Sequence, residues 1–291
     1  MSPVKIPTEL IILPCHSIYT PAVDLSLQEA TLDNKAGTSA SDWILASFQH
    51  EASDHLSFIQ HIRLAAKLND GSENSLLIIS GGYTKQEVEF SEARSYFGLG
   101  VERGYFEFDS LNKNIILEEY ARDSYENVLF SLCAFHKKYG AYPAKVSIVG
   151  FEFKKPRFVE SHLKTLGYID SNKVSYIGSG PDYPLFETLK VVNPQLTQAE
   201  WKSKKNSYFD ELVASENKFA LNLFDLNPFG SKGSKLWDKK QQRDPWGKSQ
   251  QISSIYGAKQ SGILSRMINI DNIEFEDAKR VYELVKEHFP L

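Results

Sequence analysis

Three polar side chains of kinds that exchange protons or bind anions follow apolar runs of the sequence: Glu92, Arg122 and His16. A carboxylate and an imidazole can act as general acid or base, and a guanidinium can hold an anion through two parallel hydrogen bonds. We therefore expect these three to be the catalytic residues of a site for an anionic small molecule. His16 has a second interpretation, as a hydrogen-bonded loop histidine.

A glycine pair follows the apolar run SLLIIS. Gly81 and Gly82 let the backbone turn sharply and approach a ligand without a Cβ in the way. We expect their N–H groups, with those at the helix start near Ser124, to bind the ligand; the alternative is an ordinary strand-to-helix turn. The expected ligand-binding residues are Ser80, Gly81, Gly82, Glu119, Asp123, Ser124, Asn127 and Arg157.

Arg122 directly precedes a helix start, where a cation is unfavourable for the helix dipole. Its position is explained if its guanidinium forms an ion pair with a carboxylate, such as that of Glu92 or Glu119, or with an anionic ligand. A structural ion pair and a ligand contact are both open at this stage. Asp123 followed by Glu126 resembles a capping box, which explains those two residues without a ligand.

Five apolar, β-rich runs alternate with helical segments, and this alternation positions the polar residues. Unbroken apolar runs are typical of parallel strands that are buried on both faces. We therefore predict an α/β Rossmann-like three-layer sandwich with a mostly parallel central sheet, in which the polar strand ends meet at one edge. The predicted strands are 9–15, 75–82, 114–120, 144–153 and 173–180.

The alternation fades after about residue 185, which predicts two parts: residues 1–185 as the Rossmann-like domain and residues 186–291 as a helical C-terminal extension packed on it. A basic segment at 231–249 has two interpretations. It is either a surface loop or a lip over an anionic ligand, to which Trp237 and Trp246 add flat contacts.

Composition narrows the function classes. Lysine and arginine number 33 against 37 acidic residues, a formal net charge of −4, so we expect no nucleic-acid partner. Two cysteines are too few for a disulfide framework, no zinc motif is present, and no apolar run is long enough to span a membrane. The dinucleotide and P-loop glycine motifs are also missing. A cytoplasmic protein that binds a small molecule, with no metal, is the expectation.

Three ordered blocks of these residues also carry a family resemblance. The first contains Ser80, Gly81, Gly82, Ser91, Glu92 and Ala93, the second contains Glu119, Arg122, Asp123, Ser124, Glu126 and Asn127, and the third ends at Arg157. In their order and spacing they are similar to the YdcF-like family, the domain of unknown function 218, which includes the SanA and ElyC-type bacterial envelope proteins. The resemblance covers roughly residues 8 to 180.

The sequence departs from that family at two places. The first strand of many members ends in glycines, whereas this one ends in Cys15-His16. The histidine that often precedes the last arginine is replaced in the segment containing Glu152, Phe153 and Lys154, so chemistry that relied on it does not carry over.

The resemblance implies a Rossmann-like fold with a polar pocket at the strand ends and an enzymatic activity that is not assigned. With the residues above, it predicts a transferase or hydrolase that binds a phosphate-bearing or nucleotide-like small molecule. One alternative is a non-catalytic protein that binds S-adenosylmethionine or another nucleoside-type ligand. Another is an interaction scaffold that uses the C-terminal extension.

Overall fold

Five parallel strands form one sheet in the computed structural model, which describes residues 5–26, 30–51, 53–70, 74–112, 114–181, 194–257 and 263–286. The strands are β1 Glu9–Pro14, β2 Ser75–Ser80, β3 Ile115–Glu118, β4 Lys145–Gly150 and β5 Val174–Gly178. Their order across the sheet is β3-β2-β1-β4-β5, and every neighbouring pair is parallel. The predicted α/β class and parallel sheet are confirmed.

Helices cover both faces of the sheet. The α-helices of the described residues are α1 Ser47–Glu51, α2 Asp54–Asn69, α3 Glu92–Glu102, α4 Ser124–Tyr139, α5 Gln198–Glu216, α6 Asn222–Leu226, α7 Lys235–Gln242, α8 Ile263–Ile268 and α9 Phe275–Val285. Three π-helical segments are π1 Arg157–Leu163, π2 Asn217–Leu221 and π3 Ser253–Gly257. The 3₁₀ turns are Thr20–Val23, Ala40–Asp42, Phe108–Asn112, Glu152–Lys154, Ser171–Lys173, Lys248–Gln251 and Ile270–Asn272.

The central strand β1 shows why the sheet has a core on each side. Leu10 and Ile12 pack with α4, whereas Ile11 and Leu13 pack on the opposite face with α2 and α3. Alternate residues of a strand point to opposite faces, so an unbroken apolar run supplies both cores at once.

Helix α4 begins and ends where the sequence predicts. Asp123 is its N-cap and accepts a hydrogen bond from the Glu126 N–H at 2.8 Å, and Gly140 ends it in the left-handed conformation. The second half of the capping box differs, since the Glu126 carboxylate accepts from the N–H of Arg122 instead of Asp123. This hydrogen bond holds the backbone of Arg122 at the start of the helix.

Apolar side chains of the C-terminal part belong to the α4 side of the core, among them Phe224, Phe229, Leu236 and Met267. The C-terminal residues therefore help to bury α4. The predicted boundary at 185/186 lies outside the described residues, and the division into two domains stays a prediction.

The glycine pair after β2 is a tight turn whose donors are already used. The N–H of Gly81 donates to Glu118 O at 2.9 Å, and that of Gly82 donates to Ala121 O at 2.9 Å. The expectation that these N–H groups bind a ligand is therefore wrong, because backbone carbonyls occupy them. A Cβ on Gly82 would lie 2.7 Å from Ala121 O, and one on Gly81 would lie 2.7 Å from the Cβ of Cys15. Glycine is required here for close packing of the backbone.

We expect Gly82→Ala to destabilise the protein by about 1–3 kcal/mol, because the added methyl meets a backbone oxygen that cannot move freely. Gly257→Ala is the matched control, since no atom of the described residues lies within 4 Å of its Cβ position. Urea unfolding of both variants measures the difference. Equal stabilities would contradict the packing explanation.

Candidate functional site

The carboxyl ends of β1, β2 and β4 meet at one edge of the sheet, where the strand order reverses between β1 and β4. In open parallel sheets this is the usual ligand position. We use the name strand-end crevice for the group formed by His16, Glu92, Lys154, Arg157 and Arg243. They come from the β1 and β4 ends, the start of α3, π1 and the segment after α7.

The electrostatic neighbours of His16 include the three cations of this group. Burial lowers the pKa of His16 well below its usual value, and the charges of Lys154, Arg157 and Arg243 lower it further. His16 is therefore neutral near pH 7. Its Nε2 atom is buried and has no hydrogen-bond partner among the described residues. The ring can accept a proton from a molecule that enters the crevice.

Glu92 is buried at the first position of α3, after the N-cap Ser91. Burial raises the pKa of Glu92, while the hydroxyl of Thr84, which donates to its carboxylate, and the charges of Lys85, Arg243 and Lys154 lower it in part. Its Cβ lies 2.9 Å from where a Gly81 Cβ would be. A bulkier residue at 81 would displace the carboxylate.

Lys154 follows β4 and is a cation that sequence reasoning did not choose as a site residue. Burial lowers its pKa to about 8, and Arg157 and Arg243 add to the effect against the opposing charges of Glu216 and Asp54. Its Nζ lies 4.7 Å from the centre of the Phe151 ring. No carboxylate of the described residues forms a salt bridge with it. An anion would supply the missing charge.

Arg157 and Arg243 complete the positive side of the crevice. The Nε of Arg157 lies 3.0 Å from Oε1 of Glu216, without an aligned hydrogen bond. Burial lowers the pKa of Arg157, and Arg243 opposes its charge as well. Arg243 itself donates to the carbonyl of Arg122 at 3.2 Å. Three cations thus share the space with few opposing carboxylates.

Arg122 does not face this crevice through its guanidinium. It belongs to a buried ion cluster, which we define as Arg122, Asp123, Glu126, Lys240 and Asp271. The guanidinium bonds to Glu126 at 2.5 and 3.0 Å and to Asp271 at 2.7 Å. The expected contact between Arg122 and Glu92 is wrong, and the structural ion pair is the interpretation that the structure supports.

Lys240 is the second cation of the buried ion cluster and is only 1% exposed. Its Nζ donates to Phe229 O at 2.8 Å and lies 3.3–3.7 Å from carboxylate oxygens of Asp123, Glu126 and Asp271. Burial lowers its pKa, but the three carboxylates outweigh burial and raise it to about 12. The surface-loop interpretation of 231–249 is wrong for this residue.

Two carboxylates of the buried ion cluster have pKa values that are shifted in opposite directions. Burial raises the pKa of Glu126, but Arg122 and Lys240 outweigh it and lower the value to about 2. Burial raises the pKa of Asp123 more than Lys240 lowers it. Asp123 Oδ2 also has no hydrogen-bond partner in the described part of the chain. Asp123 is thus a helix cap within an ion cluster, which differs from the ligand contact expected for it.

Ser80 and Asn127 form a separate buried network. The Ser80 hydroxyl lies 2.5 Å from Glu118 Oε2 and 2.9 Å from Asn127 Oδ1, and the Tyr256 hydroxyl donates to Glu118 at 3.2 Å. Burial raises the pKa of Glu118 to about 7 against these hydrogen bonds. Ser80 and Asn127 are thereby engaged with protein groups, which explains their buried positions without a ligand.

Glu119 and Ser124 lie apart from that network. Glu119 accepts two hydrogen bonds from Arg94, each 3.1 Å, and one from Ser91 at 2.7 Å. Its two carboxylate oxygens are therefore occupied by protein donors. The hydroxyl of Ser124 lies 2.8 Å from Nε2 of His162, a residue that sequence reasoning did not select.

The end of the basic segment reaches back to the loop before α3. The indole N–H of Trp246 donates to Lys85 O at 2.9 Å, and Lys248 Nζ lies 2.6 Å from Glu89 Oε1. These exposed contacts hold the segment that carries Arg243 beside the crevice. The lip interpretation gains a geometric basis at Arg243, whereas Trp237 is turned inward with a buried Nε1.

Sequence reasoning missed most of the crevice's cations. Lys154 lies in the third resemblance block, three residues before Arg157, and that proximity was a usable signal. Arg243 and Glu216 come from the C-terminal part, where no motif marked them. Only the folded chain brings them to the strand ends.

Within the described ranges, no three His, Cys, Asp or Glu side chains are grouped to hold a metal ion. Among the described residues, every helix is too short or too polar to span a lipid bilayer.

A comparison with known proteins finds a relative in Saccharomyces cerevisiae, named "Uncharacterized protein YOR238W". It is 31% identical over 304 aligned positions, which span 92% of this chain and 94% of the relative. No protein-family model matches the chain, and no solved structure matches it significantly. The similarity extends over nearly the whole of both chains, including the C-terminal part.

We expect Arg122→Met to cost about 3–5 kcal/mol, because it leaves three buried carboxylates with only Lys240 opposite them. Asp271→Asn should cost less, because it leaves two cations against two carboxylates. Urea unfolding at neutral pH ranks the two variants.

The matched control is Arg280→Met, which removes an arginine from an exposed pair with Asp277 and should change stability little. An equal or larger loss for Asp271→Asn would contradict the charge count. A ligand that binds equally well to folded Arg122→Met would support the structural assignment of Arg122.

Proposed function

The chain belongs to the same family as the Saccharomyces cerevisiae protein, and within that family we propose that it binds a phosphate-bearing small molecule in the strand-end crevice and acts on it as a hydrolase or transferase. The proposal agrees with what the YdcF-like resemblance implies for the strand ends. It also agrees with the position of the crevice at the reversal of strand order.

One observation carries the proposal: two half-buried cations, Lys154 and Arg157, and the exposed Arg243 share the crevice, and the nearby carboxylates pair with them only in part. Lys154 has no salt-bridge partner among the described residues, Arg157 has an unaligned contact with Glu216, and Arg243 donates to a carbonyl. After burial, the charge of Arg157 is the next cause that lowers the pKa of Lys154, and the charge of Arg243 adds to the lowering of the pKa of Arg157. A phosphate group offers two negative charges and several acceptor oxygens to such a group.

The crevice also contains groups that can move protons. His16 is neutral near pH 7 because burial lowers its pKa, so its free ring nitrogen can act as a base. Glu92 has a raised pKa, again because of burial, and is the candidate acid or the group that orients a cation. Proton transfer and charge stabilisation by fixed cations are the two effects that hydrolysis or transfer of a phosphate group needs.

Binding and turnover can be measured separately. Calorimetry with inorganic phosphate and a set of phosphate esters tests the anion site, and release of phosphate from the same esters tests the reaction. Mass spectrometry of small molecules that co-purify with the protein identifies candidate ligands. If neither phosphate nor any ester binds, the proposed function is wrong; binding without turnover or group transfer leaves a binding protein and overturns the enzymatic part.

We expect Lys154→Met to weaken phosphate binding about tenfold, the effect of losing one charged hydrogen bond. Lys155→Met removes the same charge from the exposed neighbouring residue and should bind phosphate nearly as well as the wild type. Calorimetry on the wild type and the two variants measures the difference in phosphate affinity. Similar losses in both variants would point to a general charge effect and contradict a specific site.

Phosphate binding should also fall as the pH rises through about 8. Lys154 is charged below its pKa and neutral above it, so its contribution is present at lower pH and lost at higher pH. Lys154→Arg should move this loss to higher pH, because arginine stays charged. A wild-type affinity that is constant across the range would contradict the role of Lys154.

The empty protein should gain stability when Lys154 is replaced by methionine. Its folded pKa is lowered from the ordinary value, so near pH 7 the charged form is less favourable in the folded than in the unfolded chain. Thermal unfolding without phosphate measures the gain, and Lys155→Met is again the control. A lower melting temperature for Lys154→Met would show that the lysine is a structural partner.

A further inference from the structure

A serine at the start of α4 and a histidine in π1 form a pair with the geometry of a nucleophile and its base. The hydroxyl oxygen of Ser124 lies 2.8 Å from Nε2 of His162, within the hydrogen-bond reach that such pairs need. Ser124 is partly exposed, whereas His162 is fully buried. The serine is therefore partly open to solvent while its base is held in the core.

The π-helix brings Arg157 and His162 toward the same side of one segment. The two residues are five positions apart in π1, and π-helical bonding runs between residues with that separation. In an α-helix, where each residue adds about 100° of rotation, they would point in clearly different directions. Burial and then the charge of Arg157 lower the pKa of His162, which is consistent with their proximity.

His162 is in the form that a general base requires. Its lowered pKa keeps the ring neutral, and Nε2 faces the serine hydroxyl. The ring packs against Phe224 and Phe158 at centroid distances of 4.5 and 5.5 Å, which fixes its orientation. Nδ1 is buried without a hydrogen-bond partner in the described part of the chain.

The start of α4 adds two donors at the serine. Asp123 accepts from the N–H of Glu126, and within the described ranges the N–H groups of Ser124 and Tyr125 have no acceptor. First-turn N–H groups point at the space before a helix and favour negative charge there. An anionic group bound at Ser124 would therefore meet these donors.

We propose that Ser124 is the nucleophile of a phosphoryl-transfer reaction, with His162 as its base and Arg157 as the cation that holds the phosphoryl oxygens. This inference rests on the proposed function, since the substrate is the phosphate ester bound in the crevice. The oxygen of Ser124 forms a bond to phosphorus and the ester bond breaks. The serine proton passes to Nε2 of His162 and then to the departing alkoxide.

The second half of the reaction restores the enzyme. A water molecule, or an acceptor alcohol in a transferase, attacks the phosphoserine, and its proton passes to His162. The bond from the Ser124 oxygen to phosphorus then breaks, the serine takes the proton from His162, and phosphate or a new ester leaves. No metal or redox partner is needed for this balance.

A fluorophosphonate probe tests the pair directly, because attack by an activated serine forms an oxygen–phosphorus bond and releases fluoride. Peptide mass spectrometry should find the label on Ser124 of the wild type. Ser124→Ala should abolish the label at that position, and His162→Gln should slow labelling at least tenfold. Ser254→Ala, which removes an exposed serine, should label like the wild type.

A second variant tests the Ser124–His162 pair without replacing the buried histidine, so it does not depend on His162→Gln being folded. Ser124→Cys puts a thiol at the same place, and the native Cys15 and Cys133 are buried, so iodoacetamide reports on the new thiol. The adjacent histidine should keep that thiol reactive below pH 7, with alkylation at least tenfold faster than in folded Ser254→Cys, whose thiol is at an exposed position. Ordinary reactivity would overturn the pairing.

Phosphate binding separates this inference from the proposed function. Ser124→Ala should still bind inorganic phosphate by calorimetry, since it removes no cation. If the wild type binds phosphate but Ser124 is not labelled, the nucleophile is wrong and the binding proposal stands. If neither is observed, both proposals are wrong.

Discussion

Two cations and three carboxylates lie together out of solvent between α4 and the C-terminal part, and the arrangement of the strand-end edge depends on them. Glu126 holds both the backbone and the guanidinium of Arg122, and Asp271 meets that guanidinium from the C-terminal part. Lys240 fills the remaining space among the carboxylates. Because Arg243 follows α7, which carries Lys240, this cluster also sets where the crevice receives its third cation.

The pKa of a buried lysine is shifted in opposite directions in the buried ion cluster and in the strand-end crevice. In the buried ion cluster, carboxylates outweigh burial and the pKa of Lys240 is raised to about 12. In the strand-end crevice, burial dominates and the pKa of Lys154 is lowered to about 8. The number of nearby acids decides between them. Removing one member of a cluster that satisfies its charges leaves a buried charge unpaired, whereas a crevice that does not satisfy its charges is suited to an incoming anion.

The sheet could be predicted from the sequence because each strand is an apolar run and each adjoining helix has local start and stop signals. Asp123 and Gly140 delimit α4 by local geometry alone. The partner of Arg122 could not be predicted in this way, since Asp271 is 149 residues away and no pattern marks it. The prediction for the glycine pair failed for a related reason. A glycine indicates that another group approaches the backbone closely, but it does not indicate whether that group is a ligand or, as here, the Ala121 backbone. The π-helical bonding that aligns Arg157 with His162 was likewise invisible, because the segment has ordinary helical spacing.

The distance in sequence between Arg122 and Asp271 also bears on how the chain folds as it is synthesised. Domains commonly fold as units in order of their emergence from the ribosome. Here the strands and α4 emerge first, with Arg122 and its two neighbouring acids still lacking Lys240, Asp271 and the apolar residues that cover them. The early segment therefore carries unshielded charge and exposed apolar surface until the late residues arrive. Folding of this molecule is completed only when the residues around Asp271 have emerged.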